Sequence, residues 1–355
     1  MIDSFSIKGF KQFTDLFLQG LKPITLIGGK NNTGKTTVLE ALFMLYDRGN
    51  AGVTMRHLFW RGVGSIPLNP DSLWSPIFRS YDMNKPIEMK ICENGITEKI
   101  EIEHKNEFKT LLSASPFEKG SLPKIETGQR PLMTEFLEFR YFANDKKTGE
   151  SFLTLGDRKL DMQYSFSKPS KKIAFIGSGL HHNSVEDSVL FGQLDIQGHT
   201  EKITEVLKII EPNLKSLRTI SHGEHALIYG DIGLQRKIPV AHMGGGVAKV
   251  LSIFLSIATN AGGIVLIDEI ENGWHYSCLP NILKAIHKMA KEYNCQIIAT
   301  THSYEIGQSL IKGLSPEDLS DLAYIRLDKT KERIKPHVYE ARMLAAALER
   351  RWEIR

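Results

Sequence analysis

The chain has 355 residues, of which 41% are hydrophobic and 24% are charged, and its formal net charge is +4. This composition is typical of a folded globular protein with one large domain or two ordinary ones, and it excludes intrinsic disorder as the main state. No apolar run approaches the roughly 20 residues that a membrane helix needs, and the amino terminus lacks the features of a secretory signal. The three cysteines form no CxxC pair. We therefore expect a cytoplasmic protein without membrane contact.

The first half of the chain predicts short strands and one amphipathic helix. Strands are expected at residues 2–7 and 24–27, where β-branched and apolar residues dominate. A helix is expected at residues 34–46, because its apolar residues recur at a spacing of three to four. From about residue 50 to 180, short alternating runs separated by Gly, Pro and Asn predict a mostly antiparallel β-lobe.

The second half of the chain predicts an alternation of helices and strands. Residues 184–210 are expected to be helical with a break near Gly198, and strands follow at 215–221, 225–229 and 237–240. Further on, helices are predicted at residues 246–259, 276–292 and 304–312, and strands at residues 263–268, 295–300 and 322–327. Such alternation predicts a parallel sheet with helices on its faces. Residues 340–355 form a basic amphipathic pattern, predicting a helix that packs on its own domain or contacts a partner or nucleic acid.

The most specific pattern is the run GKNNTGKT at residues 29–36, which satisfies G-x-x-x-x-G-K-[ST]. Its glycines let successive backbone N–H groups face phosphate oxygens, and the following helix adds its positive dipole end. The lysine is expected to contact the β- and γ-phosphates, and the threonine hydroxyl to bind Mg²⁺. Lys35 is also expected to serve catalysis, and Thr36 to bind the metal. The predicted ATP-binding residues are Gly29, Asn31, Asn32, Thr33, Gly34, Lys35, Thr36 and Thr37.

A second candidate element is the apolar run GIVLI, which is followed directly by Asp268 and Glu269. It predicts a buried central strand that delivers both carboxylates to a ligand site at its carboxyl end. Asp268 is expected to hold Mg²⁺ through its water shell, and Glu269 to accept a proton from the water that attacks the γ-phosphate. Residues 295–303 predict another strand, which would deliver His302 to the same edge as a γ-phosphate sensor. An isolated histidine is otherwise more often structural.

Three glycines open the predicted helix that precedes this strand. The residues Met243, Gly244, Gly245 and Gly246 are called the signature segment below. A glycine-rich helix N-terminus is a second anion-binding surface. Because one ATP needs only one phosphate loop, this second surface indicates that a partner subunit supplies half of each site.

Together, these motifs resemble those of ABC-type ATPase heads of the SMC-like and overcoming-lysogenisation-defect (OLD)-like branch. The resemblance implies an α/β P-loop NTPase fold of the ABC-ATPase type, with a mixed, mainly parallel sheet core, an antiparallel β-lobe and a helical lobe that carries the signature. It also implies that residues 29–37 are the Walker A loop, Asp268 and Glu269 the Walker B pair, residues 243–246 the signature, and His302 the switch histidine. Residues 271–275 would be the D-loop, close to a dimer interface.

The expected domain organisation is a single ATPase head at residues 1–327. Two halves at residues 1–50 and 200–327 would form it, with a β-rich and helical lobe inserted at residues 51–199. A basic strand and helix extension would follow at residues 328–355. Residues 329–355 hold eight Lys or Arg and four Glu, so their net charge is +4.

Two features of the sequence depart from the family pattern, and some features found in related proteins do not occur in this sequence. Met243 stands where the signature usually has serine, and the glutamine of the Q-loop is not assigned among Gln129, Gln163 and Gln193. No zinc hook, long coiled-coil arm or Asp-x-Asp motif occurs in the sequence. The resemblance therefore implies neither a chromosome-tethering SMC protein nor a fused TOPRIM nuclease.

The resemblance implies an Mg²⁺-dependent ATPase that forms a head-to-tail dimer or higher oligomer and acts as a switch. Compact heads of this kind resemble the stand-alone ATPases of two-gene anti-phage systems, which sense DNA or a phage product and control a separately encoded effector such as a nuclease. Two other functions stay open, namely an ATP-binding scaffold with little turnover and a DNA-repair ATPase that loads on duplex ends. The signature and the D-loop are less consistent with a transporter ATPase.

Overall fold

The computed structural model describes most of the chain, and the described residues form three β-sheets. The described residues are 1–48, 50, 52–63, 65, 67–107, 134–155, 160–166, 169, 171–178, 184–223, 225–330 and 333–350. The strands are β1 (Ile2–Phe10), β2 (Phe13–Gln19), β3 (Ile24–Gly29), β4 (Ile87–Glu93), β5 (Ile96–Glu107), β6 (Thr134–Ala143), β7 (Lys146–Leu155), β8 (Leu160–Phe166), β9 (Ile173–Ile176), β10 (Ser216–His222), β11 (His225–Asp231), β12 (Ile238–Pro239), β13 (Ile264–Ile267), β14 (Gln296–Thr300), β15 (Leu322–Lys329) and β16 (Ile334–Glu340).

The helices connect and cover these strands. They are α1 (Lys35–Tyr46), α2 (Val53–Trp60), α3 (Pro70–Trp74), α4 (Ser184–Ile196), α5 (Thr200–Leu207), α6 (Gly245–Thr259), α7 (Leu279–Glu292), α8 (Tyr304–Gly313) and α9 (Ala341–Glu349). Within the described ranges, no helix combines the length and apolar character needed to cross a membrane.

The central sheet has the strand order β16-β15-β3-β14-β13-β9. Its neighbouring strands are parallel except for the pair β15 and β16. The strands β3, β13 and β14 are buried along their whole length, as expected for parallel strands covered on both faces. Their carboxyl ends lie at one edge, where β3 leads into α1.

The second large sheet is antiparallel throughout and has the order β2-β1-β4-β5-β6-β7-β8. The buried side chain of Gln296 connects it to the central sheet. Its amide nitrogen donates to the carbonyl of Ile2 at 2.9 Å, and its oxygen accepts from the N–H of Ile2 at 2.8 Å. A small antiparallel sheet of β10, β11 and β12 packs beside α4.

The hydrophobic core has two parts, one on each face of the central sheet. Along β13, Val265 and Ile267 belong to the part that includes α4 to α9, whereas Ile264 and Leu266 belong to the part that includes α1 and the antiparallel sheet. This division follows from the two-residue period of side chains along a strand. It makes α1 a helix enclosed between two sheets, which explains why nearly all of its residues are buried.

The structure confirms the predicted α/β fold class, with a mixed central sheet and an antiparallel lobe. The alternation predicted for residues 246–327 is present, since α6, β13, α7, β14, α8 and β15 follow in that order. The helical region at 184–210 is interrupted where predicted, because Gly198 adopts a φ of 75° between α4 and α5. Residues 276–278 were expected to begin a helix, but they form a 3-10 turn before α7.

Two expectations about the strands were wrong. Strand β2 was not predicted, because two successive exposed residues interrupt its alternation. It pairs with β1, and both strands belong to the antiparallel sheet. The antiparallel sheet is therefore not confined to the expected lobe at residues 51–199. Conversely, β9 lies within that range but pairs in parallel with β13 in the central sheet.

The carboxyl-terminal segment packs on the rest of the chain. Strand β16 pairs with β15 at one edge of the central sheet, and α9 buries Leu344, Ala347 and Leu348. The hydroxyl of Tyr304 donates to the carbonyl of Leu348 at 3.0 Å, which ties α9 to α8. The expected helix at residues 340–355 is thus present as α9, and residues 351–355 lie outside the described part.

Candidate nucleotide-hydrolysis site

The loop between β3 and α1 has the backbone shape that its glycines predict. Gly29 has a φ of 136°, and Gly34, which precedes the first residue of α1, has a φ of 93°. A Cβ atom on Gly34 would lie 2.5 Å from the ring of Phe13, so this position also requires glycine for space. No side chain caps the N-terminus of α1, and no acidic residue occurs in its first turn. The first N–H groups of the helix are therefore suited to bind an anion.

Lys35 folds back over this loop, and only 4% of it is exposed. Its ammonium donates to the carbonyl of Gly29 at 2.8 Å and to that of Lys30 at 2.9 Å. Burial lowers the pKa of Lys35 to about 8, against the opposing attraction of Asp268 and Glu269. The loop thus holds a desolvated cation beside the helix N-terminus.

The remaining predicted loop residues differ in their exposure. The side chains of Asn31 and Asn32 are exposed, whereas Thr33 and Thr37 are buried. The hydroxyl of Thr33 donates to the carbonyl of Lys30 at 2.9 Å and so braces the loop from inside. Its own side chain is therefore engaged in shaping the backbone that would face the phosphates.

The two predicted metal ligands meet in the structure. The hydroxyl of Thr36 donates to Oδ1 of Asp268 at 2.9 Å, although the two residues come from α1 and from the end of β13. The hydroxyl of Thr300, at the end of β14, donates to the same oxygen at 2.6 Å. Hydroxyl and carboxylate oxygens are the donors that Mg²⁺ prefers, so these side chains fit such an ion.

Glu269 has an unusual backbone and a carboxylate held by two neighbours. Its φ is 47°, in the left-handed region that residues other than glycine seldom adopt. Its N–H donates to the hydroxyl of Thr300 at 2.7 Å. The side-chain amide of Asn272 donates to Oε2 of Glu269, and Nε2 of His302 lies 3.5 Å from Oε1. Strained conformations that several contacts maintain occur most often at functional sites.

A hydrogen bond from the backbone of His302 places this residue beside the carboxylate of Glu269. The N–H of His302 donates to Oε1 of Glu271 at 2.6 Å, while its side chain is 39% exposed next to Glu269. The predicted site residues on Walker A, on Walker B and at His302 thus lie together at the carboxyl edge of the central sheet. Their individual roles stay predictions.

The signature segment contacts the D-loop. The sulfur of Met243 lies 2.8 Å from the position that a Cβ atom on Gly230 would take, so this side chain packs against β11. A Cβ atom on Gly246 would come within 2.3 Å of the carbonyl oxygen of Gly273. The indole N–H of Trp274 donates to the carbonyl of Gly246 at 3.1 Å. These contacts join the beginning of α6 to the D-loop, whereas its uncapped N-terminus at Gly244 is exposed.

Two residues of the site were not identified from the sequence, and Asn272 and Glu271 were expected only as part of the D-loop. Besides Thr300, the structure adds Lys249, whose ammonium donates to the carbonyl of Glu269 at 2.6 Å. Burial lowers the pKa of Lys249 to about 8. Its one sequence signal is a single cation within the otherwise apolar helix pattern of residues 246–259.

Substitution of His302 with alanine is expected to lower kcat about tenfold or more, while the Kd for ATP changes less than about threefold. The imidazole contacts Glu269 and not the phosphate loop, so its loss should affect the chemical step more than binding. Phosphate release and binding of a fluorescent ATP analogue measure the two quantities. The control is His337→Ala on β16, where the imidazole pairs with Asp328. An unchanged kcat in His302→Ala would remove the sensor role.

Comparisons with known proteins show what the chain as a whole is similar to. The ATP/GTP phosphatase of Helicobacter pylori is 24% identical over 345 residues, and the alignment covers 90% of each chain. Among solved structures, the Smc head bound to the C-winged helix domain of ScpA superposes with a TM-score of 0.53 at 14% identity, over 98% of this chain and 99% of that one. The Smc head with an extended coiled coil from Pyrococcus furiosus has a TM-score of 0.50 at 13% identity, over 98% of both chains. The likeness to these two solved structures shows that the fold resembles that of an SMC head.

The family assignment comes from a sequence profile. The profile described as "AAA domain, putative AbiEii toxin, Type IV TA system" matches residues 24–306, which is well over half of the chain. This range contains the residues predicted as Walker A, the signature segment, the residues predicted as Walker B, and His302. The chain is therefore an ABC-like P-loop ATPase and belongs to the family described as AAA domain, putative AbiEii toxin, Type IV TA system.

Proposed function

We propose that this ATPase is an Mg²⁺-dependent switch in which two copies of the chain close head to tail on ATP and open after hydrolysis. The observation that carries the proposal is the N-terminus of α6. It begins with glycines, no side chain caps it, no acidic residue lies in its first turn, and Gly244 is exposed. Such an end attracts an anion. Because Gly246 at the beginning of α6 contacts the D-loop, which is expected close to a dimer interface, we propose that the anion is the γ-phosphate held by the other copy.

The departure of Met243 from the family pattern is compatible with this role. Its side chain packs against Gly230 and so contributes to the core. The hydroxyl that a serine would offer is replaced, in this proposal, by backbone N–H groups at the beginning of α6. Such groups are the usual anion donors of a helix N-terminus.

Within each site, the chain's own residues divide the work. Lys35 and the first N–H groups of α1 bind the phosphates, and Thr36 and Asp268 would hold Mg²⁺, which neutralises phosphate charge when bound. Glu269 accepts the proton of the attacking water, with its carboxylate aligned by Asn272 and His302.

We further propose that opening and closing control a separately encoded effector protein, such as a nuclease, in anti-phage defence of the OLD-like kind. The family description, which names a putative toxin and a TA system, supports this direction. The Smc head of similar fold is described in complex with a domain of ScpA, a precedent for a separate protein that docks on such a head. The trigger would be nucleic acid or a phage product.

A mixing experiment tests whether two copies share each site. Lys35→Ala removes the phosphate-binding cation, and Gly245→Asp places a negative charge at the start of α6 that repels the γ-phosphate. Each variant alone is expected to lose ATPase activity. An equal mixture should recover about a quarter of wild-type turnover, because half of the dimers are then mixed and each contains one intact composite site.

The control for the signature variant is Gly245→Ala, which adds volume without charge and is expected to keep most activity. If the mixture of Lys35→Ala and Gly245→Asp stays inactive, or if Gly245→Asp alone turns over ATP normally, the head-to-tail arrangement is wrong.

A further inference from the structure

Lys249 occupies an unusual position beneath the Walker B carboxylates. It lies on α6, it is 3% exposed, and its ammonium donates to the carbonyl of Glu269 at 2.6 Å and to that of Asp268 at 3.5 Å. Both acceptors belong to the backbone. A buried cation is costly unless its hydrogen bonds are satisfied, so the contact with Glu269 is the one that holds this ammonium in place.

The contact completes a set of bonds around the strained residue. Thr300 accepts a hydrogen bond from the N–H of Glu269, Lys249 donates to its carbonyl, and Asn272 donates to its carboxylate. With both peptide groups fixed, Glu269 keeps its φ of 47°, and this φ determines the direction in which its side chain leaves the backbone.

The same lysine connects Glu269 to the signature segment. Lys249 follows Gly245 by one turn of α6, and its ammonium lies 5.7 Å from the ring centroid of Trp274. Trp274 in turn donates to the carbonyl of Gly246. The beginning of α6, the D-loop and the backbone of Glu269 are thus joined by two side chains.

We propose that Lys249 is a positioning residue that couples the signature end of α6 to the carboxylate of Glu269. The part of this inference that concerns the partner copy rests on the proposed head-to-tail dimer. When a triphosphate seats on the N-terminus of α6, Lys249 carries the movement of the helix to the carbonyl of Glu269. Hydrolysis is thereby linked to closure.

The test compares Lys249→Met, which keeps the length of the side chain but not its charge, with Lys249→Arg. Lys249→Met is expected to lower kcat about 10-fold to 100-fold with the Kd for ATP within about threefold, and Lys249→Arg to regain part of kcat. In a Glu269→Gln background, Lys249→Met should change kcat less than about twofold, because it acts through Glu269. Ser256→Ala, two turns farther along α6, is the matched control and should behave as wild type.

Two results overturn the positioning role. One is an unchanged kcat in Lys249→Met. The other is a general structural defect, which would show in two ways. Lys249→Met would then lose ATP affinity as much as kcat, and its loss of kcat would multiply with that of Glu269→Gln in the double variant.

Hydrogen exchange of the full chain separates this inference from the proposed function. Lys249→Met is expected to increase amide exchange in a peptide covering residues 268–275, whether or not two copies associate. If exchange rises and kcat falls while the mixing experiment fails, Lys249 positions Glu269 but the coupling to a partner is wrong. If exchange in this peptide does not change, the positioning role is wrong as well.

Discussion

Replacement of Glu269 with glutamine is expected to lower kcat by about 100-fold or more while ATP remains bound with near wild-type affinity. Glutamine has the same shape as glutamate but cannot accept the proton of the attacking water. The phosphate-binding groups, Lys35 and the N-terminus of α1, are untouched by this change. Single-turnover phosphate release and binding of a fluorescent ATP analogue measure the two quantities. In the proposed switch, this variant should also accumulate as ATP-bound dimers, which a mass measurement in solution detects.

The matched control for this variant is Glu271→Gln, which removes a neighbouring carboxylate charge. It retains an oxygen that can accept the hydrogen bond from the N–H of His302. Its kcat is expected to fall much less, because Glu271 is engaged with the backbone and not with the reacting water. Equal rates in wild type and Glu269→Gln would rule out Glu269 as the base and would favour a scaffold with little turnover.

Replacement of Lys35 with alanine is expected to weaken ATP binding about 100-fold or more, and hydrolysis is lost with it. The ammonium is buried in the phosphate loop with two carbonyl partners, so it meets a triphosphate without first shedding a full hydration shell. A cation in such a place interacts strongly with phosphate, since solvent screens it weakly. Titration calorimetry with ATP measures the loss.

Lys30→Ala provides the control for this second substitution. Lys30 belongs to the same loop and carries the same charge, but its side chain is exposed. Its removal is expected to change ATP affinity only slightly, because exposed charges are screened by water and salt. Full ATP affinity in Lys35→Ala would exclude the phosphate loop as the binding site.

The parts of the site that could be predicted from the sequence are those encoded by local pattern. The loop at residues 29–36 lies between an apolar strand and an apolar helix face, and Asp268 follows a run that must be buried. These local patterns determine where each strand or helix lies in the sequence and where each strand ends. Because the strands are parallel, their carboxyl ends then lie at one edge of the sheet. The convergence around Thr36, Asp268 and His302 follows from that rule.

The residues that escaped prediction depend on contacts between distant segments. The four residues of β9 have no alternation that distinguishes them from a strand of the antiparallel lobe, and only their pairing with β13 assigns them to the central sheet. Lys249 lies in an apolar helix, and its role becomes visible only once α6 is known to pass beneath the end of β13. Met243 likewise indicates only a lost hydroxyl in the sequence, whereas in the structure its side chain packs against Gly230.

The hydroxyl groups around Asp268 have a consequence for how the site receives a cation. Each threonine hydroxyl carries a single hydrogen, and both Thr36 and Thr300 direct theirs to the same carboxylate oxygen. The lone pairs of Thr36 are therefore turned away from Asp268. A divalent ion that contacted Thr36 from the side away from Asp268 would therefore meet a lone pair and not the hydroxyl hydrogen.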